Sequence, residues 1–272
     1  MIPAPFRHLR VDSVEAAIAG LIEHGDEAKL LAGGHSLLPI MKLRLATPSV
    51  LLDIGPIASM SSIRMDADDL VIGAGTRHRD VQNSPLVVAA APLLAFASSL
   101  VGDPQVRNRG TIGGSIVHAD PAADLPCAAM ALGATLVVQG SGGRRSIGVD
   151  DFFVGFWTTA MDANEVLVEI RIPHQIPAGW SYQKFTTRSQ DWATVAVAVS
   201  GTRIALASMA ETPVRAFTTE AARSRGASVI EASNLADDST TPPADLRGSS
   251  DYRRNLARVL TERALVEAAT RC

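Results

Sequence analysis

The sequence predicts an α+β fold in three consecutive units, and three observations carry that reading. Short apolar runs alternate with an amphipathic helical period over the first ~55 residues; paired short strands around tight turns replace them after Pro56; a strand meander ending in a long helix begins near Gly179. The units so drawn are 1–55, 56–176 and 177–272. At 272 residues the chain is long enough to bury a full core.

In the first unit, Asp12-Ser13-Val14-Glu15 reads as an Asp-x-x-Glu cap. Val14, Ala17, Ile18, Leu21 and Ile22 then repeat at helical spacing until Gly25 stops them. Residues 29–31 and 50–54 read as short buried strands with a second helical stretch, 36–45, between them, which makes a βαβ-like unit. In the second unit, 63–65 and 70–72 flank an Asp-Ala-Asp-Asp turn, and 135–138 and 144–147 flank Ser141-Gly142-Gly143, so both pairs read as hairpins. A helical middle, 92–100, lies between them. In the third unit, 182–186, 195–199 and 203–208 form the meander, the last two joined by the short Ser200-Gly201-Thr202. A polar, Pro-rich loop over 233–243 leads to a helix over 251–270 that carries Tyr252, Leu256, Val259 and Leu260 on one face.

Composition excludes several functions. A formal charge of −3 with no basic stripe argues against a nucleic-acid partner. The two cysteines, Cys127 and Cys272, cannot hold an iron–sulfur cluster or a Cys-rich zinc site. His8, His24, His78, His118 and His174 form no ligand pair at helical or hairpin spacing, so no metal is assigned. The opening residues lack an apolar signal core and no run reaches the ~18 apolar residues of a membrane span, which sets the expectation of a cytoplasmic protein.

Two glycine pairs stand out: Ala32-Gly33-Gly34-His35-Ser36-Leu37, and Thr111-Ile112-Gly113-Gly114-Ser115. Each puts consecutive residues without Cβ beside a hydroxyl, an arrangement in which backbone N–H groups can converge on an anion. Two such nests suggest a diphosphate. Gly73-Ala74-Gly75-Thr76 lacks the third glycine and the helix of a dinucleotide fingerprint, and reads as a turn. Asp124 follows Gly114 closely enough to accept from ribose hydroxyls, or else it caps a helix over 125–132.

The stretches 31–44 (LAGGHSLLPIMKLR), 104–114 (PQVRNRGTIGG) and 118–126 (HADPAADLP) closely resemble the FAD-binding medium subunit of molybdenum hydroxylases, nearest the aerobic carbon monoxide dehydrogenase type of the xanthine dehydrogenase family. The likeness runs from Ile2 through Phe152-Phe153 to Thr212-Pro213-Val214-Arg215-Ala216 and Tyr252-Arg253-Arg254. It implies a vanillyl-alcohol-oxidase-like, PCMH-type FAD-binding fold of two α+β subdomains, then a C-terminal domain with a three-stranded antiparallel sheet and helices. The resemblance assigns the FAD diphosphate to Ala32, Gly33, Gly34, His35 and Ser36, with Leu37 beside them, and to Thr111, Ile112, Gly113, Gly114 and Ser115. It adds Val101, a ribose or adenosine contact at Asp124, a backbone contact at Leu167 and a lysine beside the flavin ring at Lys184. Outside that resemblance Leu167 is an ordinary strand residue, Lys184 a solvated charge, and Trp192 either a ring cover or a half-buried core residue. Many relatives have asparagine where Ser115 stands, and their hairpin loop is longer than Ser200-Gly201-Thr202.

His35 sits within the nest, so donation to a phosphate or to neighbouring backbone is expected rather than a covalent flavin bond. The chain shows no Ser/His/Asp set or paired acids to handle an organic substrate, and no catalytic residue is assigned. By resemblance it is an electron-transfer subunit with non-covalent FAD. A large partner would carry molybdopterin and a small one two 2Fe–2S clusters, in a dimer of heterotrimers that delivers electrons to an external acceptor. The alternatives are a self-sufficient FAD-dependent dehydrogenase or oxidase of the same superfold, and a nucleotide-binding assembly subunit whose FAD is structural.

Overall fold

The computed structural model describes residues 2–174 and 179–271. Its first unit is a parallel sheet of β1 (Arg7–Arg10), β2 (Ala28–Leu31) and β3 (Val50–Asp53), in the order β1-β3-β2. The apolar Val-Leu-Leu of β3 occupies the buried centre; β1, with the sequence Arg-His-Leu-Arg, is exposed throughout and carries no apolar alternation by which to anticipate it. Helix α1 (Val14–His24) buries Val14, Ala17, Ile18 and Leu21. Its cap is Ser13 rather than the Asp-x-x-Glu pair, because the Ser13 hydroxyl accepts from Ala16 N at 3.1 Å; Ile22, expected on the buried face, is 56% exposed. Helix α2 (Leu37–Lys42) is shorter than the expected 36–45.

The second unit is an antiparallel sheet of β4 (Ile63–Asp66), β5 (Asp69–Gly73), β6 (Thr135–Gly140), β7 (Gly143–Gly148) and β10 (Val166–Pro173), in the order β4-β5-β10-β6-β7. The two-stranded hairpin of β8 (Phe153–Gly155) and β9 (Thr158–Thr159) stands apart from it. Both expected hairpins, β4-β5 and β6-β7, are present, and β10 zips them together from far along the chain. Between β5 and β6 run α3 (His78–Asn83), α4 (Pro85–Ala90), α5 (Pro92–Ser99), α6 (Pro104–Arg107), α7 (Ile112–His118) and α8 (Asp124–Ala131). Proline opens α4, α5 and α6 at the position where a missing N–H costs nothing. Short α9 (Val149–Phe152) follows β7. The fragment Gly73-Ala74-Gly75 is packing: a methyl on Gly73 would lie 2.4 Å from the Met60 carbonyl oxygen.

The third unit carries β11 (Trp180–Phe185), β12 (Val195–Ser200), β13 (Arg203–Ala207) and β14 (Val214–Arg215), antiparallel in chain order. The expected three strands are joined at one edge by the two-residue β14. Strand β12 reads Val-Ala-Val-Ala-Val because both its faces are buried. Its alanines join the main core, while Val195, Val197 and Val199 pack with Ile204 and Leu206 in a second core that includes Ala257, Leu260 and Ala264. After α10 (Phe217–Ser224) and α11 (Val229–Ser233) the chain ends in α12 (Ser250–Thr270). Its buried stripe is Arg253, Ala257, Leu260, Thr261, Ala264 and Ala268; of the expected face of Tyr252, Leu256, Val259 and Leu260, Leu260 is buried and Leu256 packs beside it on the second core, whereas Tyr252 is 41% exposed. Small residues let α12 lie close on the sheet, and they give a weaker apolar signal than leucine or valine.

Candidate functional site

The loop leaving β2 turns sharply at Gly34, whose φ of +76° favours glycine, and enters α2. Along this turn the N–H groups of Gly33, Gly34, His35 and Ser36 donate to no acceptor of the described chain; Gly33, Gly34 and Ser36 are half-buried and His35 is exposed. Four donors in sequence around a left-handed glycine form an anion nest. The ring of His35 folds back on the nest, its Nδ1 3.0 Å from the Gly33 carbonyl oxygen.

The second glycine pair is brought directly against the first. A methyl on Gly33 would lie 2.5 Å from the Arg109 carbonyl oxygen and 2.7 Å from Gly110 Cα, so the two loops touch through backbone. Gly110 in turn rests on the imidazole of His78, where a methyl would approach Cδ2 and Nε2 at 2.8 Å. Only residues without Cβ at positions 33 and 110 allow this stack on His78.

The two loops are not equivalent, which corrects the expectation of two like nests. At the second, Ile112 N donates to Thr76 O, Gly113 N to Ala74 O and Gly114 N to the Thr111 hydroxyl, so these amides are already engaged in seating and capping α7. Gly113 is buried against Ala74, 2.5 Å from where its Cβ would be, whereas Gly114 is exposed and meets only Thr111 Oγ1. The second loop therefore contributes a wall of exposed glycine, and the first contributes the free donors. Ser115 lies half-buried in the same first turn of α7, and Ile112 is fully buried.

Asp124 lies elsewhere in the architecture from the nest amides. It is the first residue of α8, its side chain caps nothing, and the helix-cap reading is thereby corrected. It is 5% exposed, accepting from Tyr182 Oη at 2.8 Å and from Lys184 Nζ at 2.9 Å. Lys184 is no solvated charge, since its side chain is 8% exposed and its ammonium also reaches Leu100 O. Burial pushes the Asp124 carboxyl up, against the pull of Lys184 and of the Tyr182 hydroxyl, and the Tyr182 hydroxyl is itself pushed well up by burial beside that carboxylate. Tyr182 and Lys184 of this triad line a cavity of about 320 Å³, with Phe96, Leu100, Thr186 and Glu267 among its other walls.

The remaining expected positions scatter around these features. Val101 follows Leu100 and its carbonyl accepts from Arg107. Leu167 is 4% exposed at a bulge in β10, where the next carbonyl, of Val168, accepts from Ala74 N beneath α7. Trp192 is 43% exposed on the loop between β11 and β12. Sequence reasoning missed Tyr182 and His78. Tyr182 was visible only as an alternate strand residue two positions from Lys184. His78 is 4% exposed and held neutral, its pKa lowered to about 4 first by burial and then by the nearby His35 and Arg107.

A dinucleotide fits these residues. Unpaired amides and a backbone stack intolerant of any Cβ suit the close approach of a diphosphate. A buried cation held by Asp124 beside a cavity suits a ring system that gains negative charge on reduction. Among the described residues, no group of three metal-ligating side chains occurs and no helix is long and apolar enough to cross a membrane.

Comparison with known proteins agrees with this chemistry. Residues 4–175 match the family described as FAD binding domain in molybdopterin dehydrogenase, and residues 180–268 match the CO dehydrogenase flavoprotein C-terminal domain. The carbon monoxide dehydrogenase medium chain of Hydrogenophaga pseudoflava is 44% identical, with 100% of both chains covered. The nicotine 6-hydroxylase medium subunit of Paenarthrobacter nicotinovorans is 35% identical, with 99% of both covered. A solved structure of carbon monoxide dehydrogenase from Hydrogenophaga pseudoflava, lacking the Mo-pyranopterin moiety of its cofactor, superposes with a TM-score of 0.97 at 45% identity over 100% of both chains.

Proposed function

The chain belongs to the family of FAD-binding medium chains of molybdopterin dehydrogenases, and from that membership we propose that it binds FAD non-covalently and serves as the electron-transfer subunit of a molybdenum hydroxylase. The observation that carries the reading is the docking of Gly33 on Arg109–Gly110, which leaves the N–H groups of Gly33, Gly34, His35 and Ser36 free to bind a diphosphate. When bound, FAD supplies a carrier that accepts electrons from iron–sulfur centres and gives them to an external acceptor.

The chain's own residues then have distinct tasks. Gly33 to Ser36 hold the diphosphate, and Thr111 to Ser115 shape the opposite wall. Leu37 and Val101 flank these two loops, and Leu167 supports the second from beneath. Lys184 presents a fixed cation, which Asp124 and Tyr182 hold in place and keep from folding away; a cation near the N1/C2 edge of a flavin stabilises its reduced, anionic form. Asp124 acts through Lys184 in this reading, since both of its oxygens are engaged. A large molybdopterin subunit and a small 2Fe–2S subunit complete the enzyme, as a cytoplasmic dimer of heterotrimers. The units 1–55, 56–176 and 177–272 serve as the two cofactor-binding subdomains and the C-terminal domain.

The test is direct. The isolated chain titrated with FAD is expected to quench flavin fluorescence saturably and to release all of its flavin on acid precipitation. No saturable quenching, or yellow colour that stays with the pellet, contradicts the reading.

A further inference from the structure

The ring of His35 has a defined orientation on the nest. Its Nδ1 lies 3.0 Å from the Gly33 carbonyl oxygen, and a carbonyl only accepts, so Nδ1 carries the hydrogen. In the neutral ring the other nitrogen, Nε2, is then a bare lone pair on an exposed residue whose own N–H is one of the four amides that have no acceptor. A lone pair repels an anion seated on those amides; protonation turns the same atom into a charged donor. We propose that binding of the FAD diphosphate to the Gly33–Ser36 nest takes up one proton at His35 Nε2, so that the cofactor is held by a charge-assisted hydrogen bond that exists only in the protonated ring. This rests on the FAD reading above and adds to it a proton-linked affinity.

The surroundings assign the proton to His35 alone. The titratable group that faces it is His78 of α3, itself flanked by Arg107 of α6; the docked turn adds Arg109. His78 stays neutral down to about pH 4, and its buried Nδ1 has no partner with which to share a proton. Among the described residues, the histidines within ion-pair distance of a carboxylate are His8 and His24, so no acid of the chain competes with the ligand for His35.

Flavin fluorescence gives the FAD dissociation constant of the full chain between about pH 5.5 and about pH 8.5, a range in which histidine titrates and the FAD diphosphate diester does not. The expected result is a dissociation constant that rises with pH, approaching ~tenfold per unit on the alkaline limb, the slope of one linked proton. His35→Gln, which keeps a donor to Gly33 O and cannot ionise, flattens that limb. In wild-type protein, calorimetry in two buffers of different ionisation enthalpy counts up to one proton taken up per FAD, and ADP-ribose gives the same count because it carries the same diphosphate. A dissociation constant flat across the range, an unchanged slope in His35→Gln, or no proton uptake overturns the proposal while leaving the FAD reading intact. Absence of FAD binding even at the acid end overturns the FAD reading, and the proposal with it.

Discussion

At the residue scale, adjacent glycines separate into different tasks. A methyl on Gly113 would meet Ala74 Cβ at 2.5 Å in a buried contact, whereas one on Gly114 faces outward past the Thr111 hydroxyl. Gly113→Ala is therefore expected to lose ~1–3 kcal/mol of stability by overpacking, read as a lower urea midpoint. Gly114→Ala crowds only the Thr111 hydroxyl, at 2.8 Å, and is expected to lose less stability than Gly113→Ala and to weaken FAD binding. Equal urea midpoints for the two variants would contradict this division. The Gly-Gly-His-Ser and Thr-Ile-Gly-Gly motifs were legible because consecutive residues without Cβ beside a hydroxyl permit close approach, although Ser141-Gly142-Gly143 has the same composition and only turns a hairpin. The sequence could not say that the second loop's amides are spent on Thr76 and Ala74, since those acceptors come from a turn more than thirty residues earlier.

At the element scale, α8 is the piece that sequence patterning described least well. Every residue from Asp124 to Ala131 is buried, so the helix has no polar face to give it a period. Its one charge, Asp124, bonds Tyr182 and Lys184 of β11 and so ties the second unit to the third. With both side chains under a tenth exposed, Asp124→Ala leaves an unpaired buried ammonium, and a loss of ~3–5 kcal/mol is expected in urea unfolding. Adding Lys184→Met is expected to recover much of that loss. A double variant no more stable than Asp124→Ala would mean that the aspartate acts through something other than the lysine. The same logic explains α12: only part of its buried face was legible, Leu260 with Leu256 beside it, because alanine, threonine and a buried arginine make up the rest of the stripe. Arg253 donates to Thr194 O and pairs with Asp245, which satisfies most of a charge that its position in the stripe would otherwise forbid.

At the scale of the whole molecule, the apolar strands were legible, the exposed β1 and the short β8, β9 and β14 were not, and neither was strand order. The two hairpins of the second sheet are local, set by their turns; the insertion of β10 between β5 and β6 depends on contacts about a hundred residues apart. The long motifs carried the family resemblance without that information. What the assembled molecule adds is a division of labour. One loop supplies free amides, a second supplies a close wall, and a buried lysine on the third unit supplies charge. The account predicts that electrons reach this chain only through a partner. The most direct test is anaerobic stopped-flow absorbance of the FAD-loaded chain, alone and in its native complex, mixed with the substrate that the complex oxidises. The account predicts no flavin bleaching of the isolated chain, full reduction by dithionite, and bleaching within the complex that follows the iron–sulfur signals; bleaching of the isolated chain by the organic substrate would contradict it.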